Sequence, residues 1–422
     1  MQTVDPLTPA AGPWAPLRGR AFRALWIAAL VSNVGTYMQV VGAGWAMTEQ
    51  TDSEFLVALL QTAWAAPGFL LALHAGAWSD LLDRRRYLAA AELGALVVTA
   101  TLAVLQWTGR AGPAVLIGAT FLESAALMLA GPAFLAVTIG LAALDQQPQA
   151  LGLDAASRSI AQSVGPAVAG VLIAAAGPGA VFAVNALSFL GVVFVVLRVI
   201  PPDRLARAAG EVPDMGVHRA IREGISTVAG SRHLRRVALR IMLFMAAIAV
   251  QAAVLPLVAR ERLEVGAGGF GMLWVALGVG SVAVLQVMPR VRSRLTLDQV
   301  LLLGACVWSA SVVLLAATST LWVALVALAL SGAGSMAVLN TLFPVFTMVM
   351  PAEIVGRGAS LAILAVWLGS TLGALMWGVV ASARGIGEAL VIAAVLTPIV
   401  ALVGQLFLRV DDPLRPAATA SD

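Results

Sequence analysis

Gly76-Ala77-Trp78-Ser79-Asp80-Leu81-Leu82-Asp83-Arg84-Arg85-Arg86 is a short charged stretch wedged between two long apolar ones, residues 55–78 and 87–107. Three consecutive arginines follow a run about as long as a bilayer is thick, roughly 20 residues as a helix, and a second such run follows them. Outward in both directions the alternation repeats. Apolar runs lie at 22–47, 55–78, 87–107, 113–137, 155–176, 179–198, 237–259, 267–288, 299–317, 320–349, 354–381 and 387–408. Runs of this length predict helices, because only a helix satisfies its own backbone hydrogen bonds in lipid.

Composition agrees. Of 422 residues 60% are apolar and 11% charged, with a mean hydropathy of +0.93. Soluble domains carry about 25% charged residues. The net charge of +4 does not point to nucleic acid, because every basic residue is Arg and the arginines gather in the breaks between runs. That distribution sets membrane orientation. With the N-terminus cytoplasmic, only Arg110, Arg260, Arg262 and Arg384 of the 26 fall outside. An even number of spans then returns the C-terminus to the cytoplasm. Residues 1–17 carry Asp5, Pro6, Pro9 and Pro13 and lack an apolar core before a cleavage site, so no cleaved signal peptide is expected. Cys306 stands alone, and His74, His218 and His233 lack metal-ligand spacing, so neither disulfide, metal site nor cofactor is expected. Without a Gly-rich phosphate loop bearing Lys, direct use of ATP is not expected either.

The longest break divides the spans six and six. The expected organisation is a tail at 1–21, a first bundle at 22–198, a linker at 199–236, a second bundle at 237–408 and a tail at 409–422. Within the linker Val217, Ile221, Ile225 and Val228 recur at helical spacing against Arg219, Arg222 and Glu223, which predicts an amphipathic helix on the membrane face. The two halves repeat. At an offset of 212, Arg20, Arg23, Gln39 and Glu49 meet Arg232, Arg235, Gln251 and Glu261; at 203, Pro148, Ala156, Ser157 and Gly170 meet Pro351, Ala359, Ser360 and Gly373. The expected fold is an all-α membrane protein, twelve transmembrane helices in two pseudo-symmetric six-helix bundles.

Ionisable and polar groups within the spans carry the most information, because lipid penalises them. Glu123 lies ten residues into span 4, with no basic residue in that span. It suits a proton carrier or a site for a cation, against the plainer role of a protonated acid tying helices together. Glu92, in span 3, is expected to pair with the basic loop. Asp154 and Arg158 lie four apart and so share a helix face, where an ion pair forms. His74, six residues before Asp80, is either a proton relay or a histidine packed at a helix end. Asn33 and Tyr37 share one face of span 1, and Gln39 and Gln251 hold equivalent places in spans 1 and 7. All four are candidates for a central cavity or for helix-to-helix ties. Trp45 and Trp64 fit cavity lining, interface anchors or packing. Gly76 would let a neighbouring helix approach near the membrane face, and Asp80 would accept from a helix N-terminus or pair with Arg, a latch that favours one conformation. Pro166 with Gly165 and Gly170 gives a kink and close packing in span 5.

The loop at 76–86 resembles the signature loop of the major facilitator superfamily: Gly76, Asp80, Arg84 and Arg85 match, while Leu81 stands where that family carries Arg and Asp83 where it carries Gly. The second-half loop, 289–294, keeps only basic charge. Ser32-Asn33-Val34-Gly35-Thr36-Tyr37-Met38-Gln39, Gly44-Trp45-Ala46-Met47-Thr48, Val164 to Gly170, Asn185-Ala186-Leu187-Ser188-Phe189 and Glu353-Ile354-Val355-Gly356-Arg357-Gly358 resemble the enterobactin-exporter-like branch, the transmembrane secretion effectors. Gly165, Pro166 and Gly170 resemble the antiporter motif of the superfamily. The resemblance implies spans 1, 4, 7 and 10 around a cavity, Glu353 and Arg357 in the latch, and export of siderophores, macrolides or drug-like compounds by a monomer in the inner membrane, driven by proton entry. Branch members often carry Asn and Arg where this chain has Asp154 and Gln162, so the charge is displaced by one turn. An importer or lipid flippase of the same fold is the nearest alternative. A membrane enzyme would need a polar cluster at one face and a sensor an added soluble domain, and the sequence offers neither.

Overall fold

The computed structural model describes residues 12–201, 230–348 and 355–408; for residues 73, 77, 80, 81, 347, 348 and 355–360 it describes the backbone alone. The helix expected in the linker and Glu353 lie outside the described residues, as do the side chains of Asp80 and Arg357. The first half consists of α1 (Arg20–Gln50), α2 (Glu54–Leu81), α3 (Arg84–Trp107), α4 (Pro113–Leu141) and α5 (Gln147–Phe194). The second half consists of α6 (Arg232–Leu257), α7 (Ala267–Arg294), α8 (Leu297–Ala317), α9 (Leu321–Met348), α10 (Val355–Arg384) and α11 (Ile386–Phe407). Among the described residues eleven helices are long and apolar enough to cross a membrane. The shortest, α8, has 21 residues and spans about 30 Å at 1.5 Å per residue, the thickness of a hydrocarbon core.

Local chemistry sets the helix starts. Asp83 accepts from the backbone N–H groups of Arg85 and Arg86, capping α3. Pro113 opens α4, where its missing N–H costs nothing. Thr296 and Gln299 cap α8 reciprocally.

Spans 5 and 6 are expected as separate helices, whereas the backbone runs through both as α5. The reversal occurs at one residue, Gly177, with φ 76° and ψ 172°, just before Pro178. The contacts with α1 show that the two limbs are antiparallel. Along 147–176, Leu153 meets Trp26 and Gly165 meets Tyr37; along 178–194, Phe182 meets Gly42 and Ser188 meets Gly35. One limb climbs with α1 and the other descends, so eleven helices make twelve crossings. The equivalent turn of the second half is Gly385, φ 86° and ψ 160°, between α10 and α11. This backbone region is open essentially to glycine alone.

The halves meet along two related seams, α5 against α7 and α2 against α10. Their buried cores show how the halves are arranged. One cluster takes residues from both halves, including Met38, Met47, Phe182, Val254, Phe270 and Trp377. At the opposite end, where α1 begins and the 82–83 turn lies, the core divides. Phe22, Leu88, Val137 and Leu153 cluster with first-half residues only. Ile241, Leu301, Leu342 and Ala362 cluster with second-half residues only. Among the described residues the halves therefore share one core at one end, the joined end, and keep separate cores at the other, the parted end. Large apolar side chains such as Val171, Leu187, Trp322 and Phe407 point outward, as a lipid-facing surface requires.

Candidate functional site

The central feature is a carboxylate with neutral partners. Glu123 sits mid-way along α4 with 0% exposure. Its Oε2 accepts from Gln39 Nε2 of α1 at 2.5 Å and its Oε1 from Asn185 Nδ2 of α5 at 2.9 Å. Asn185 Nδ2 also reaches Gln39 Oε1, at 3.1 Å, closing a triangle of three side chains from three helices. A water-sized space of about 20 Å³ adjoins it, lined by Gln39, Leu60, Trp64, Thr120 and Glu123. Next to Glu123, Ser124 donates to the Trp64 carbonyl at 2.6 Å and ties α4 to α2. Sequence reasoning assigns Asn185 no site role. A signal exists all the same: an amide within an apolar run, the same argument that singles out Glu123.

The second half has a related cluster without charge. Gln251 Oε1 accepts from Trp308 Nε1 at 3.2 Å and from Ser331 Oγ. Ser331 lies on α9, the counterpart of α4, as Glu123 does on α4. Gln251 also lines a cleft of about 140 Å³ together with Trp274, Leu277, Trp308 and Ser335. Neither Ser331 nor these tryptophans stands out in sequence.

The remaining candidates scatter. Asp154 and Arg158 form their ion pair on α5, the aspartate buried and the arginine exposed. Asn33 donates to Ser157 Oγ at 3.1 Å, a tie between α1 and α5. Tyr37 packs where Gly165 presses on α1: a Cβ on Gly165 would come 2.7 Å from Tyr37 Cβ. Gly170 meets the other half, where a Cβ would come 2.9 Å from the Ala267 carbonyl oxygen, and Pro166 faces Gly271 of α7. Pro166 and Gly170 thus lie on the seam between halves, while Gly165 packs against α1. Trp45 donates to Glu49 Oε1 and stacks near Phe270 across the joined end, with ring centroids 6.0 Å apart. His74 is exposed and stands against Trp78, away from the Glu123 partners.

Of two expectations around the signature loop, that for Glu92 needs correction. A Cβ added at Gly76 would meet nothing within 4 Å among the described residues. Glu92 does not pair with the basic loop: it is 5% exposed and its Oε2 lacks a hydrogen-bond partner among the described residues. It lies about two turns below the arginines, of which Arg84 and Arg85 are engaged elsewhere. Arg85 donates to the Val196 carbonyl at 2.8 Å and to that of Leu197, closing the end of span 6. Arg84 Nε donates to the Ser79 carbonyl at 3.4 Å. In the second half Arg292 holds Asn340 of α9 instead.

The fold is shared widely among solved transporters. A nucleoside transporter, NupG, superposes with a TM-score of 0.74 at 11% identity, over 93% of this chain and 100% of its own. A bacterial homologue of the lysosomal transporter Spinster, inward-facing and occupied, gives 0.71 at 13% identity, over 93% and 97%. A bacterial homologue of the iron transporter ferroportin, inward-facing, gives 0.70 at 16%, over 92% and 99%. No curated protein matches by sequence. These likenesses establish the fold, a major facilitator architecture. Residues 11–417 match a single family nearly end to end, and the chain belongs to it: the transmembrane secretion effectors, secondary transporters of the major facilitator superfamily.

Proposed function

We propose that this chain exports small amphiphilic organic molecules, siderophore, macrolide or drug-like, by proton antiport with alternating access. The observation that carries the reading is Glu123, wholly enclosed and held by two amides. A cationic partner would fix the carboxylate in its ionised form. An amide does not, because it can turn an N–H toward a carboxylate or a C=O toward a carboxylic acid. Gln39 and Asn185 therefore suit both protonation states, which a proton carrier needs. The adjoining space of about 20 Å³ is large enough for one water, a route for the proton.

The positive-inside rule assigns the parted end to the cytoplasm, with both termini there, in an inner membrane. On that assignment the molecule faces inward. Rocking about the two seams would close that end and open the other, bringing a neighbouring helix to Gly76 and Asp80 as a latch. Gly165, Pro166 and Gly170 support export through their resemblance to the superfamily's antiporter motif, and Pro166 and Gly170 lie on a seam between the halves. Asp154 and His74 are secondary candidates in the proton route. The partners on this reading are a small-molecule substrate, protons and the bilayer, and the transporter works as a monomer.

The test uses purified protein in proteoliposomes with an imposed pH gradient and a substrate found by thermal-shift screening of siderophores, macrolides and lipids. Gradient-driven transport falls on the order of tenfold or more in Glu123→Gln, as expected when an intramembrane carboxyl carries the coupling. Unchanged gradient-driven transport removes Glu123 from the mechanism. Accumulation of the same substrate in cells with and without the protein separates export from import.

A further inference from the structure

Arg158 is a cation too deep to be a membrane-face anchor. Its neighbour Ser157 accepts from Asn33, close to the middle of α1 (Arg20–Gln50), so the backbone of Arg158 lies near the middle of the bilayer. The Tyr37 phenol, one turn further along α1, is within electrostatic reach of the guanidinium. The Arg158 side chain is nonetheless 57% exposed. Lipid penalises a charge at that depth, so an exposed one there faces water. The wheel of α5 shows where that water lies. Ile160, Val164, Val168 and Val171 form its outward, lipid-facing stripe. Arg158 points to a different side. It lies eleven residues before Ala169, within about 20° of it around the helix at 3.6 residues per turn. Ala169 and Ile173 are buried in the core that both halves share. Toward the parted end the same stripe loses its cover, and Ala155, five turns before Ile173, is exposed as Arg158 is. The stripe that seals the halves at one end thus carries Arg158 into the space between them at the other.

The surroundings define what binds there. Among the described residues the side-chain partner of Arg158 is Asp154, which is buried and takes one nitrogen, Nη2. A guanidinium carries five N–H donors in a planar fork that matches a carboxylate, so the others are turned to the water-filled space. Glu123, the other acid of this half held between α1 and α5, is wholly enclosed with its own amides and offers solvent nothing. Leu151 and Ala155, exposed on the same stripe, give Arg158 an apolar border. A donor fork with greasy surface beside it suits an anion attached to an apolar group.

We propose that Arg158 is an anion subsite on the first-half wall of the space between the halves, where it takes the carboxylate of an amphiphilic organic acid. The inference rests on the reading of the chain as a transporter of amphiphiles and narrows their class to organic anions.

Equilibrium binding to the protein in nanodiscs tests it, with empty nanodiscs as the blank for partition into lipid. The probes are the 2-naphthoate anion, 2-naphthamide and 2-naphthylmethylammonium, which share a ring and differ in charge. The anion binds roughly tenfold tighter than the amide, the yield of one charge-assisted pair in contact with water, and the ammonium binds weakest. Arg158→Gln removes the preference for the anion. Because that change strands the buried Asp154, a second variant combines Arg158→Gln with Asp154→Asn, which removes both charges and leaves the net charge as it was. It too abolishes the preference and keeps amide binding. Equal binding of anion and amide, tightest binding of the ammonium, an anion preference that survives the double substitution, or no binding by any probe overturns the proposal. No gradient is imposed, so coupling does not enter. If the anion preference holds while a pH gradient drives no transport, the export reading fails and the subsite stands. If the preference is absent while transport depends on Glu123, the subsite alone fails.

Discussion

In the first half Gln39 gives its amide N–H to a carboxylate; in the second half Gln251, 212 positions later, takes two donors on its oxygen. The two glutamines occupy the same place in the repeat, on α1 and α6. What differs is the residue across from them. Glu123 on α4 offers only acceptors, so Gln39 presents its nitrogen. Ser331, 208 positions after Glu123 on the equivalent α9, offers a hydroxyl donor, and Gln251 presents its oxygen. Turning one amide over leaves a buried N–H free in the second half, beside the free indole N–H of Trp274. A duplicated scaffold with one exchanged side chain thus holds an acidic cluster in one half and a neutral one in the other.

The comparison can be broken first at the glutamines. Gln39→Leu strips a donor from a buried carboxylate, a loss of about 1.5–3 kcal/mol for a hydrogen bond to a charged group, and also the acceptor of Asn185 Nδ2, about 1 kcal/mol more. Gln251→Leu strips an acceptor from a neutral hydroxyl and an indole and costs about 1 kcal/mol for each neutral bond. Thermal unfolding of the two variants in detergent should show the larger drop for Gln39→Leu. Equal drops would mean that Glu123 does not set the difference between halves.

The second comparison concerns what the halves still share. Gly177 and Gly385 make the tight turns in equivalent connections, at φ 76° and φ 86°. Replacing either by Ala places a Cβ in backbone space that only glycine enters freely, at about 1–3 kcal/mol. The two variants should lose melting temperature by matching amounts, within experimental scatter. A large loss at one and none at the other would show that the turns have diverged.

Much of the fold is legible in sequence because it follows from local rules. Apolar length gives the spans, and a spacing of four gives the Asp154–Arg158 pair. Asp83, odd against the family loop, is explained by another local rule, since it caps α3. The equivalence of Gln39 and Gln251 is legible from a constant offset. What they touch is not, because Asn185, Trp308 and Ser331 reach them from helices far along the chain, and no spacing encodes that. The turn within α5 is half legible: Gly177 and Pro178 mark a break, yet that a single residue reverses the chain is a matter of packing against α1. Gly76 and Glu92 illustrate a different limit. Gly76 has no neighbour within 4 Å of an added Cβ among the described residues, and the place of a glycine in sequence says nothing about which conformation is present. Glu92 shows that nearness in sequence to three arginines does not provide a partner, two of them, Arg84 and Arg85, binding backbone carbonyls instead.

The central claim is that Glu123 carries the proton that moves with substrate, and proton flux reads it directly. Proteoliposomes with a pH-sensitive dye sealed inside are given substrate without an imposed gradient, and substrate counterflow is followed in parallel. The account predicts a substrate-dependent pH change in the native protein that vanishes in Glu123→Gln while counterflow persists. A Glu123→Gln protein that moves protons with substrate as the native one does would contradict it.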